Sequence, residues 1–369
     1  MRVVDVTQWY GPTSGGIRTY LHAKAAFAAA NGLGHALVVP GAVPEDGTVS
    51  ASPVVAVRGR TPTDRWGYRV VTRSGGLIAA LDRLEPGLVM LHDCFSFPGA
   101  IASWASTRRV PVAMMCHSDA VLTADVLPRS LRPAVRAALR RVQRRGLAAA
   151  ALVVIPSHTT AGRLAPDLRA DAVHVPLGVD LGTFAEARRD TELHDRLAPD
   201  GAALVLHAGR LSSEKGVLAL PRMLASLRVP ARLAIAGTGA LEPRLRREAM
   251  RLGVAGRMRM LGHVADRDAL ATLMASADCF VHPNPAEAFG LAPLEALAAG
   301  CPVVAPASGG CRENLDRDGC VLVPPGDADA LARGVEAALA APRPSGDVSD
   351  LDWERTFTRE WELYRALAA

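Results

Sequence analysis

Short apolar runs alternate along this chain with amphipathic stretches whose apolar residues recur at helical spacing. This alternation is typical of βαβ units, in which parallel strands form a sheet and helices cover its faces. In the first half it predicts strands at Val3–Val6, Ala36–Val39, Leu88–Leu91, Val112–Cys116 and Leu152–Ile155, and helices at Ile17–Ala30, Gly75–Leu84 and Arg132–Leu147.

A second series of the same kind follows the first, so we expect two doubly wound α/β domains. We place them at residues 1–178 and 179–348, with the link within 176–201 and a final helix in 349–369. The predicted strands of the second series are Ala203–Ala208, Arg232–Ala236, Met258–Leu261, Cys279–His282, Val303–Ala305 and Gly319–Val323, and its helices are Gly216–Leu227, Ala240–Leu252, Arg267–Ala275, Pro293–Ala299 and Ala328–Ala340.

The composition is that of a globular protein. Hydrophobic residues make up 49% and charged residues 21%, so the chain can bury enough apolar surface to offset its conformational entropy. The longest apolar stretch, Leu147–Pro156, is about half the length that crosses a bilayer. The N-terminus resembles a strand rather than a secretion signal, and the cysteines form no CxxC pair. We therefore expect a soluble, cytoplasmic protein with reduced thiols.

The charge balance is mildly basic. Lysine plus arginine exceeds aspartate plus glutamate by 42 to 37, a net charge of +5, which favours an anionic ligand or surface. All but two of the basic residues are arginines, and the lysines are Lys24 and Lys215. Aromatic residues make up 4% of the chain, so the sequence offers no stacking platform and predicts no nucleic-acid partner.

The segment Glu287-Ala-Phe-Gly-Leu-Ala-Pro-Leu-Glu295 carries the strongest chemical signal. It follows a predicted strand, and parallel α/β sheets bind ligands at the carboxyl ends of their strands. Gly290 permits a tight turn and Pro293 suits the first position of a helix, so the backbone amides of 289–291 would bind phosphate at a helix N-terminus. We expect Glu295, in the first turn, to reach a ribose diol and Glu287 to face the group beyond the phosphates. Alternatively, both glutamates only stabilise the helix dipole.

A second signal, Gly209-Arg-Leu-Ser-Ser-Glu-Lys-Gly216, follows the predicted strand Ala203–Ala208. Its cations, Arg210 and Lys215, suit a diphosphate, because arginine binds it as a fork and lysine as a point charge. The other interpretation is a solvated turn in which Lys215 pairs with its neighbour Glu214.

Two further signals lie in the first half. Gly15 and Gly16 open the first helix, where paired glycines let a ligand approach the backbone closely. His117-Ser-Asp119 follows the strand Val112–Cys116, where a histidine can serve as hydrogen-bond donor or proton shuttle. The alternatives are an ordinary strand–helix turn and a structural histidine.

Other motifs argue against competing cofactors. Gly237-Thr-Gly239 lacks the third glycine of a dinucleotide fingerprint, so we expect a tight turn beside a nucleotide rather than an NAD site. The sequence has no GxxxxGK[ST], which removes P-loop ATPases. Asp-x-Asp pairs begin at Asp266, Asp316 and Asp327, but Asp266 and Asp327 precede predicted helices and suit helix caps. We therefore expect no bound metal.

The stretch from Arg129 to Leu147 carries seven arginines beside an apolar stripe of helical spacing. One interpretation is a helix lying on anionic lipid at the inner face of the membrane. The other, which the pattern favours, is a core-packed helix with a solvated basic face.

Together these segments resemble the retaining glycosyltransferases of family 4. The opening Trp9–Tyr20 looks most like bacterial GDP-mannose-dependent α-mannosyltransferases of the phosphatidylinositol mannoside type. At 175–178 the chain has Val-Pro-Leu-Gly where Pro-Asn-Gly is commoner in the family. In the family's order, and along nearly the whole chain, the resemblance rests on Gly15-Gly16-Ile17, His117-Ser-Asp119, Val175-Pro-Leu-Gly-Val-Asp180, Arg210 with Lys215, and Glu287-x7-Glu295.

The resemblance implies a GT-B fold, in which two Rossmann-like domains face each other across a cleft and the last helix crosses back to the first domain. The first domain would take a hydroxyl acceptor and the second a nucleoside-diphosphate sugar, GDP-mannose best, with no further cofactor. The implied catalytic residues are His117, Glu287, Arg210 and Lys215. The implied donor-binding residues are Gly15, Gly16, Gly209, Arg210, Lys215, Gly237, Gly239, His263, Val264, Phe289, Gly290, Leu291 and Glu295. Trp9, Tyr10, Arg18, Tyr20 and Asp119 are the acceptor candidates.

The implied chemistry needs no metal, because Arg210 and Lys215 would neutralise the diphosphate as negative charge develops on it. Same-face attack, with the leaving phosphate taking the acceptor proton, would retain the anomeric configuration. The competing enzymes are a UDP-sugar-dependent hexosyl- or N-acetylhexosaminyltransferase, an epimerase, and a phosphorylase, which would need a pyridoxal-phosphate lysine. A non-catalytic nucleotide- or glycan-binding protein would predict damage to the diphosphate clamp formed by Arg210 and Lys215 and to the two glutamates, yet Arg210, Lys215, Glu287 and Glu295 are all present.

Overall fold

The computed structural model describes residues 1–11, 15–41, 47–61, 69–117, 119–126, 129–168, 172–184 and 189–369. The chain divides into two compact units. Unit 1 comprises Met1–Leu177 and Trp353–Ala369, and unit 2 comprises Gly178–Asp352. Unit 1 is therefore built from two separate stretches of chain, whereas unit 2 is continuous.

Unit 1 is a sheet covered by helices. Its strands are β1 (Arg2–Val6), β2 (Gly34–Pro40), β3 (Thr48–Val49), β4 (Ser52–Val57), β5 (Leu88–Leu91), β6 (Val112–Met115), β7 (Leu152–Ile155) and β8 (Val173–His174). Its helices are α1 (Gly16–Ala30), α2 (Gly75–Leu84), α3 (Pro98–Arg108), α4 (Arg132–Ala148), α5 (His158–Leu164) and α13 (Trp353–Ala368). Among the described residues, the strand order is β3-β4-β2-β1-β5-β6-β7-β8, parallel except for β3 against β4.

Unit 2 repeats the plan with a six-stranded parallel sheet in its described part, ordered β11-β10-β9-β12-β13-β14. This order, with the first strand central, is that of a Rossmann-like domain. The strands are β9 (Ala203–Ala208), β10 (Ala231–Ala236), β11 (Met258–Gly262), β12 (Cys279–Val281), β13 (Val303–Pro306) and β14 (Cys320–Val323). The helices are α6 (Thr191–Leu197), α7 (Ala219–Ser226), α8 (Glu242–Arg251), α9 (Arg267–Ser276), α10 (Leu291–Ala298), α11 (Gly309–Asn314) and α12 (Ala328–Ala340).

The central strands are hydrophobic because helices cover both faces of a parallel sheet. Every residue of Leu88–Leu91 is fully buried, and so are Val205 and Leu206 of β9. The six cysteines, all in the described part of the chain, are free thiols. No helix among the described residues combines the length and apolarity needed to cross a bilayer.

Several elements escaped prediction for local reasons. Pro53 interrupts the apolar run of β4, and α3 contains glycine, serine and threonine among its apolar residues. Helix α6 lies in the charged stretch expected to be a linker, where the Asp190 side chain accepts a hydrogen bond from Leu193 N and caps it. The unpredicted elements are β3, β4, β8, α3, α5, α6 and α11.

Helix α13 packs against α1 within unit 1. The Phe27 ring lies 5.6 Å from the rings of both Phe357 and Trp361, and the Tyr20 ring lies 5.4 Å from Phe357. Phe357 and Tyr364 are fully buried. The end of the chain therefore supplies part of the core around its first helix.

Candidate active site

Two loops at the carboxyl edge of the unit 2 sheet meet through an ion pair. Lys215 follows β9 and Glu287 follows β12, and Lys215 Nζ donates a 2.8 Å hydrogen bond to Glu287 Oε2. The two strands are neighbours in the sheet, so their loops emerge side by side. The suggested pairing of Lys215 with Glu214 is wrong, because Glu214 lies 3.2 Å from Arg210 instead.

Further donors hold the Glu287 carboxylate in place. His282 Nε2 lies 3.1 Å and Asn284 Nδ2 lies 2.8 Å from Glu287 Oε2. Burial alone would raise the pKa of Glu287, but Lys215 and His282 hold this pKa well below its ordinary value. Glu287 is therefore an anion, fixed in position at neutral pH.

Residues after β13, which sequence reasoning missed, support the loop that carries Glu287. Ser308 Oγ donates to Pro285 O at 2.8 Å, and Asn314 Nδ2 donates to Phe289 O at 2.9 Å. A Cβ on Gly309 would lie 2.4 Å from Glu287 O, and one on Gly310 would lie 2.3 Å from Ala288 O. The available signal was Ser308-Gly-Gly310, which begins three positions after the end of the predicted strand Val303–Ala305.

The Glu287 loop leads into α10 through Gly290, whose φ of +102° favours glycine. The helix begins at Leu291. Pro293 is therefore its third residue, whereas we expected it to be the first. Phe289 is buried, which leaves the backbone at the start of α10, rather than this side chain, as the group able to bind an anion.

Glu295 departs from expectation, because it is the fifth residue of α10 and lies beyond the first turn. Its side chain is 6% exposed, and Arg267 Nη2 donates to Glu295 Oε1 at 2.8 Å. The Arg267 guanidinium also stacks on the Phe184 ring at 4.7 Å. The Glu295 carboxylate is therefore already engaged in an ion pair.

Gly237 and Gly239 are glycines because two loops cross closely. A Cβ on Gly237 would lie 1.9 Å from Gly209 O, and one on Gly239 would lie 2.4 Å from Leu211 O. Leu211 N also donates to Thr238 O at 2.9 Å. These glycines thus position the Gly209–Lys215 loop. After β11, His263 is exposed and Val264 is half-buried.

In unit 1, His117 lies at the end of β6 beside a second histidine, His92, which follows β5. His117 Nε2 and His92 Nδ1 are 2.9 Å apart, and the Tyr20 ring packs edge-on to His117 at 5.1 Å. His117 is partly exposed. Burial, with His92 and Lys24, lowers the pKa of His117 well below its ordinary value, so the ring is neutral. Ser118, between His117 and Asp119, lies outside the described residues.

The structure contradicts the prediction that Tyr20 and Asp119 bind the acceptor. Tyr20 is fully buried and donates its hydroxyl to Glu360 of α13 at 2.6–2.7 Å. Asp119 is 8% exposed and accepts a 3.0 Å hydrogen bond from Val121 N, so it caps the turn that follows. Neither side chain is available to an acceptor in this arrangement.

The remaining acceptor candidates cluster before and within α1. Tyr10 OH lies 2.9 Å from His22 Nε2, and the Arg18 guanidinium lies 5.9 Å from the Tyr10 ring centre. Burial, with Arg18, lowers the pKa of His22 to about 4. Trp9 packs edge-on to Phe95 at 5.8 Å. His22 was missed, although it lies one helical turn beyond Arg18.

The start of α1 carries the glycine pair. Gly15 and Gly16 are exposed, and Gly15 O accepts hydrogen bonds from Arg18 N and Thr19 N at 3.0 and 3.2 Å. Thr13 and Ser14, the other residues of this motif, lie outside the described residues. The glycine pair therefore presents accessible backbone at a helix N-terminus.

The arginine-rich helix α4 is anchored at one end. Of its residues, all of which the structure describes, Gln143, Gly146 and Leu147 are buried. Gln143 Nε2 and Arg144 Nε donate to Asp167 at 2.9 and 2.7 Å. Leu131, just before the helix, is 53% exposed. The predicted core-packed helix is thus correct for the C-terminal end of α4, whereas the stripe residues nearer its N-terminus, Val135, Leu139 and Val142, are half-buried.

Comparison with known proteins identifies the family. Residues 14–183 match the family described as Glycosyltransferase Family 4, and residues 189–349 match Glycosyl transferases group 1. The chain is 33% identical over 352 residues to the GDP-mannose-dependent alpha-(1-6)-phosphatidylinositol dimannoside mannosyltransferase of Mycobacterium tuberculosis. This similarity covers 93% of the present chain and 88% of the relative.

Solved structures give the same fold. Sucrose-phosphate synthase from Thermosynechococcus elongatus has a TM-score of 0.82 at 23% identity, covering 100% of this chain and 99% of that one. Anabaena HepE, solved in complex with UDP and glucose, has a TM-score of 0.78 at 18% identity, covering 99% and 100%. The predicted GT-B class with two Rossmann-like units is confirmed. The chain belongs to the family 4 glycosyltransferases, enzymes that transfer a sugar from a nucleotide-sugar donor.

Proposed function

We propose that this glycosyltransferase moves a mannosyl group from GDP-mannose to a hydroxyl of a glycolipid or glycan, with retention of the anomeric configuration. The observation that carries the proposal is the Lys215–Glu287 ion pair, which puts a cation suited to diphosphate beside a carboxylate suited to sugar hydroxyls. The choice of GDP-mannose is supported by the 33% identity to the mycobacterial enzyme, whose name specifies that donor.

In the proposed reaction the bond between the sugar C1 and the diphosphate oxygen breaks, and a bond between C1 and the acceptor oxygen forms on the same face. The acceptor proton passes to the departing diphosphate. Lys215, Arg210 and the amides at the start of α10 stabilise the negative charge that develops there. These groups take the part that a metal ion plays elsewhere, so we propose a metal-independent enzyme.

The carboxylates and His117 have separate roles in this scheme. Glu287 accepts hydrogen bonds from hydroxyls of the transferred sugar, and Glu295 accepts them from the ribose. His117 binds a substrate hydroxyl near the reacting carbon. Trp9, Tyr10 and Arg18 bind the acceptor, with His22 as an added candidate because it is hydrogen-bonded to Tyr10.

Calorimetric binding of GDP, UDP, ADP and NAD, with and without EDTA, tests the donor assignment. We expect GDP to bind most tightly and EDTA to leave its affinity unchanged. Preference for UDP would replace the mannosyl proposal by a UDP-sugar transferase. Binding of NAD alone would contradict the proposal that Arg210 and Lys215 bind the donor diphosphate. With GDP-mannose and an acceptor, an α-linked product in the NMR spectrum supports retention, whereas a β-linked product overturns it.

We propose further that the N-terminal part of α4 contacts anionic membrane through its exposed arginines, where a lipid-anchored acceptor would lie. Its basic residues flank an apolar stripe in which Val135 and Leu139 are partly exposed, a pattern that suits an interfacial helix. Arg136→Glu with Arg141→Glu, both on exposed positions before the anchored end, should abolish cosedimentation with phosphatidylglycerol vesicles. The matched pair Arg244→Glu with Arg247→Glu, on exposed positions of α8, should retain it. Equal loss in both pairs would mean that net charge alone governs binding.

A further inference from the structure

A chain of buried polar groups runs from the core of unit 1 to His117. Asp5, the last residue but one of β1, is fully buried. His92 Nε2 lies 3.1 Å from Asp5 Oδ1, at ion-pair distance although not aligned as a hydrogen bond. His92 Nδ1 then lies 2.9 Å from His117 Nε2. The carboxylate and the two imidazoles thus form a continuous path that ends at a partly exposed ring.

The charge on Asp5 decides which nitrogens carry protons. Burial would raise the pKa of Asp5, but the Lys24 cation holds this pKa well below its ordinary value, so Asp5 is an anion. An anion beside His92 Nε2 favours the tautomer that carries its proton there. The His92 Nδ1 lone pair must then accept a hydrogen bond from the N–H at His117 Nε2, because two lone pairs 2.9 Å apart would repel.

We propose that His92 is a positioning residue: oriented by Asp5, it holds His117 in the Nε2–H form, so that His117 presents Nδ1 as a hydrogen-bond acceptor to a substrate hydroxyl. The role of His117 rests on the proposed function, but its tautomer does not. This assignment replaces the donor role considered for His117, because the one N–H of the neutral ring is already used.

The arrangement provides a matched control. His35 Nε2 lies 2.7 Å from Asp5 Oδ2, and His35 Nδ1 lies 2.8 Å from Ser52 Oγ. His35 and His92 are therefore both buried imidazoles beside the same carboxylate. Of the two, His92 contacts His117. Replacing either one removes a buried imidazole from beside Asp5, while replacing His92 also removes the acceptor that fixes the His117 ring.

The first experiment measures the tautomer of His117 in the wild-type protein by ¹⁵N-histidine NMR at pH 7.5, with the signals assigned by their loss in His117→Gln. We expect the Nε2–H tautomer. An Nδ1–H tautomer or an imidazolium would overturn the proposal. This measurement needs no substrate. A protein that is inactive but has the expected tautomer would therefore contradict the proposed function and still support the positioning role of His92.

The second experiment compares kcat, and GDP affinity by calorimetry, in His92→Leu, His92→Asn and His35→Leu. We expect His92→Leu to lower kcat about 10-fold or more with GDP affinity unchanged. We expect His92→Asn, which keeps an acceptor near the Nδ1 position, to recover most of this loss, and His35→Leu to stay within about 3-fold of wild type. Equal losses of kcat in His92→Leu and His35→Leu would reduce His92 to a structural role. If His92→Leu does not fold, the tautomer and the His92→Asn rate still decide the matter.

Discussion

Lys215 and Glu287 are 72 positions apart in the chain, yet their side chains share a 2.8 Å hydrogen bond. The lysine suits a diphosphate and the carboxylate suits a sugar, so one bond links the two halves of a nucleotide-sugar site. A bound diphosphate must compete with Glu287 for Lys215, or share it. We therefore expect nucleotide affinity and sugar transfer to respond differently when each partner is changed.

Replacing Lys215 with alanine should weaken GDP binding about 10-fold or more, because a charge-assisted hydrogen bond to the diphosphate is lost. Calorimetry measures this change directly. Arg222→Ala is the control, since Arg222 lies on α7 and pairs with Glu248; it should bind GDP like the wild type. Wild-type affinity in Lys215→Ala would contradict the diphosphate clamp.

Glu287→Gln should not weaken GDP binding, unlike Lys215→Ala. Lys215 loses its anionic competitor, so GDP should bind as tightly as before or more tightly. Sugar transfer should fall about 100-fold because the hydroxyls lose a fixed anionic acceptor. Steady-state kinetics and calorimetry separate the two effects, and Glu242→Gln on α8 controls for loss of charge. Parallel losses of affinity and rate would show that Glu287 has no separate role towards the sugar.

The ribose assignment of Glu295 can be tested with a nucleotide that lacks the diol. Wild-type protein should bind GDP about 10-fold more tightly than 2′,3′-dideoxy-GDP, in keeping with the loss of a hydrogen bond to a charged group. In Glu295→Ala this preference should disappear, with GDP falling to the affinity of the analogue. A preference that survives the substitution would assign the ribose to another residue, and thermal melting checks that the loss of the Arg267 partner leaves the fold intact.

Gly310→Ala should displace the loop that carries Glu287, because Gly310 packs against the backbone of that loop. The new Cβ would lie 2.3 Å from Ala288 O, so the backbone beside Glu287 must move, at a cost of about 1–3 kcal/mol in the free energy of unfolding. We expect a lower melting temperature together with a lower kcat/KM. Gly162→Ala is the control, because it lies in α5 and its Cβ meets nothing within 4 Å. Unchanged kinetics in Gly310→Ala would mean that this contact does not position the loop.

His207 should make the fold sensitive to acid. It is buried in β9, and burial lowers its pKa from 6.5 to about 4. Its stabilising contribution is therefore complete above pH 6.5 and is lost as the pH falls from 6.5 to about 4, a change of about 3 kcal/mol. His207→Asn keeps a donor for Val281 O, the partner of Nδ1 at 2.9 Å. In this variant the free energy of unfolding, measured with urea, should change less with pH across this range than in the wild type. As a control, His263→Asn at an exposed position should leave the pH dependence of the unfolding free energy as it is in the wild type.

The sheets could be predicted closely because buried parallel strands are apolar along their whole length. Leu88–Leu91, Leu152–Ile155 and Ala203–Ala208 were predicted with their observed limits. Strand-end motifs also gave the right loops, since the topology brings the carboxyl ends of β9 and β12 together. The sequence could not show which side chains pair across those loops, and so the partners of Lys215 and Glu295 were missed.

Tyr20 shows a different limit of sequence reasoning. A tyrosine near the start of a helix, beside a glycine pair, is typical of a binding residue. Its burial depends on Glu360, 340 positions away in the chain, and spacing within α1 carries no information about α13. Asp119 was misjudged for a local reason, because a strand-end aspartate suits a turn cap as well as a ligand.

The contact between Glu360 and Tyr20 also sets an order of events in the cell. A ribosome that adds about 5–20 residues per second needs roughly 20–70 s to cover the 340 positions between them. During that interval Lys24 and Asp5 lack the carboxylate that completes their surroundings, while every residue of unit 2 is being made. Unit 1 can therefore be completed only after unit 2 has been synthesised, and until then the residues of α1 that pack against α13 lack their partners.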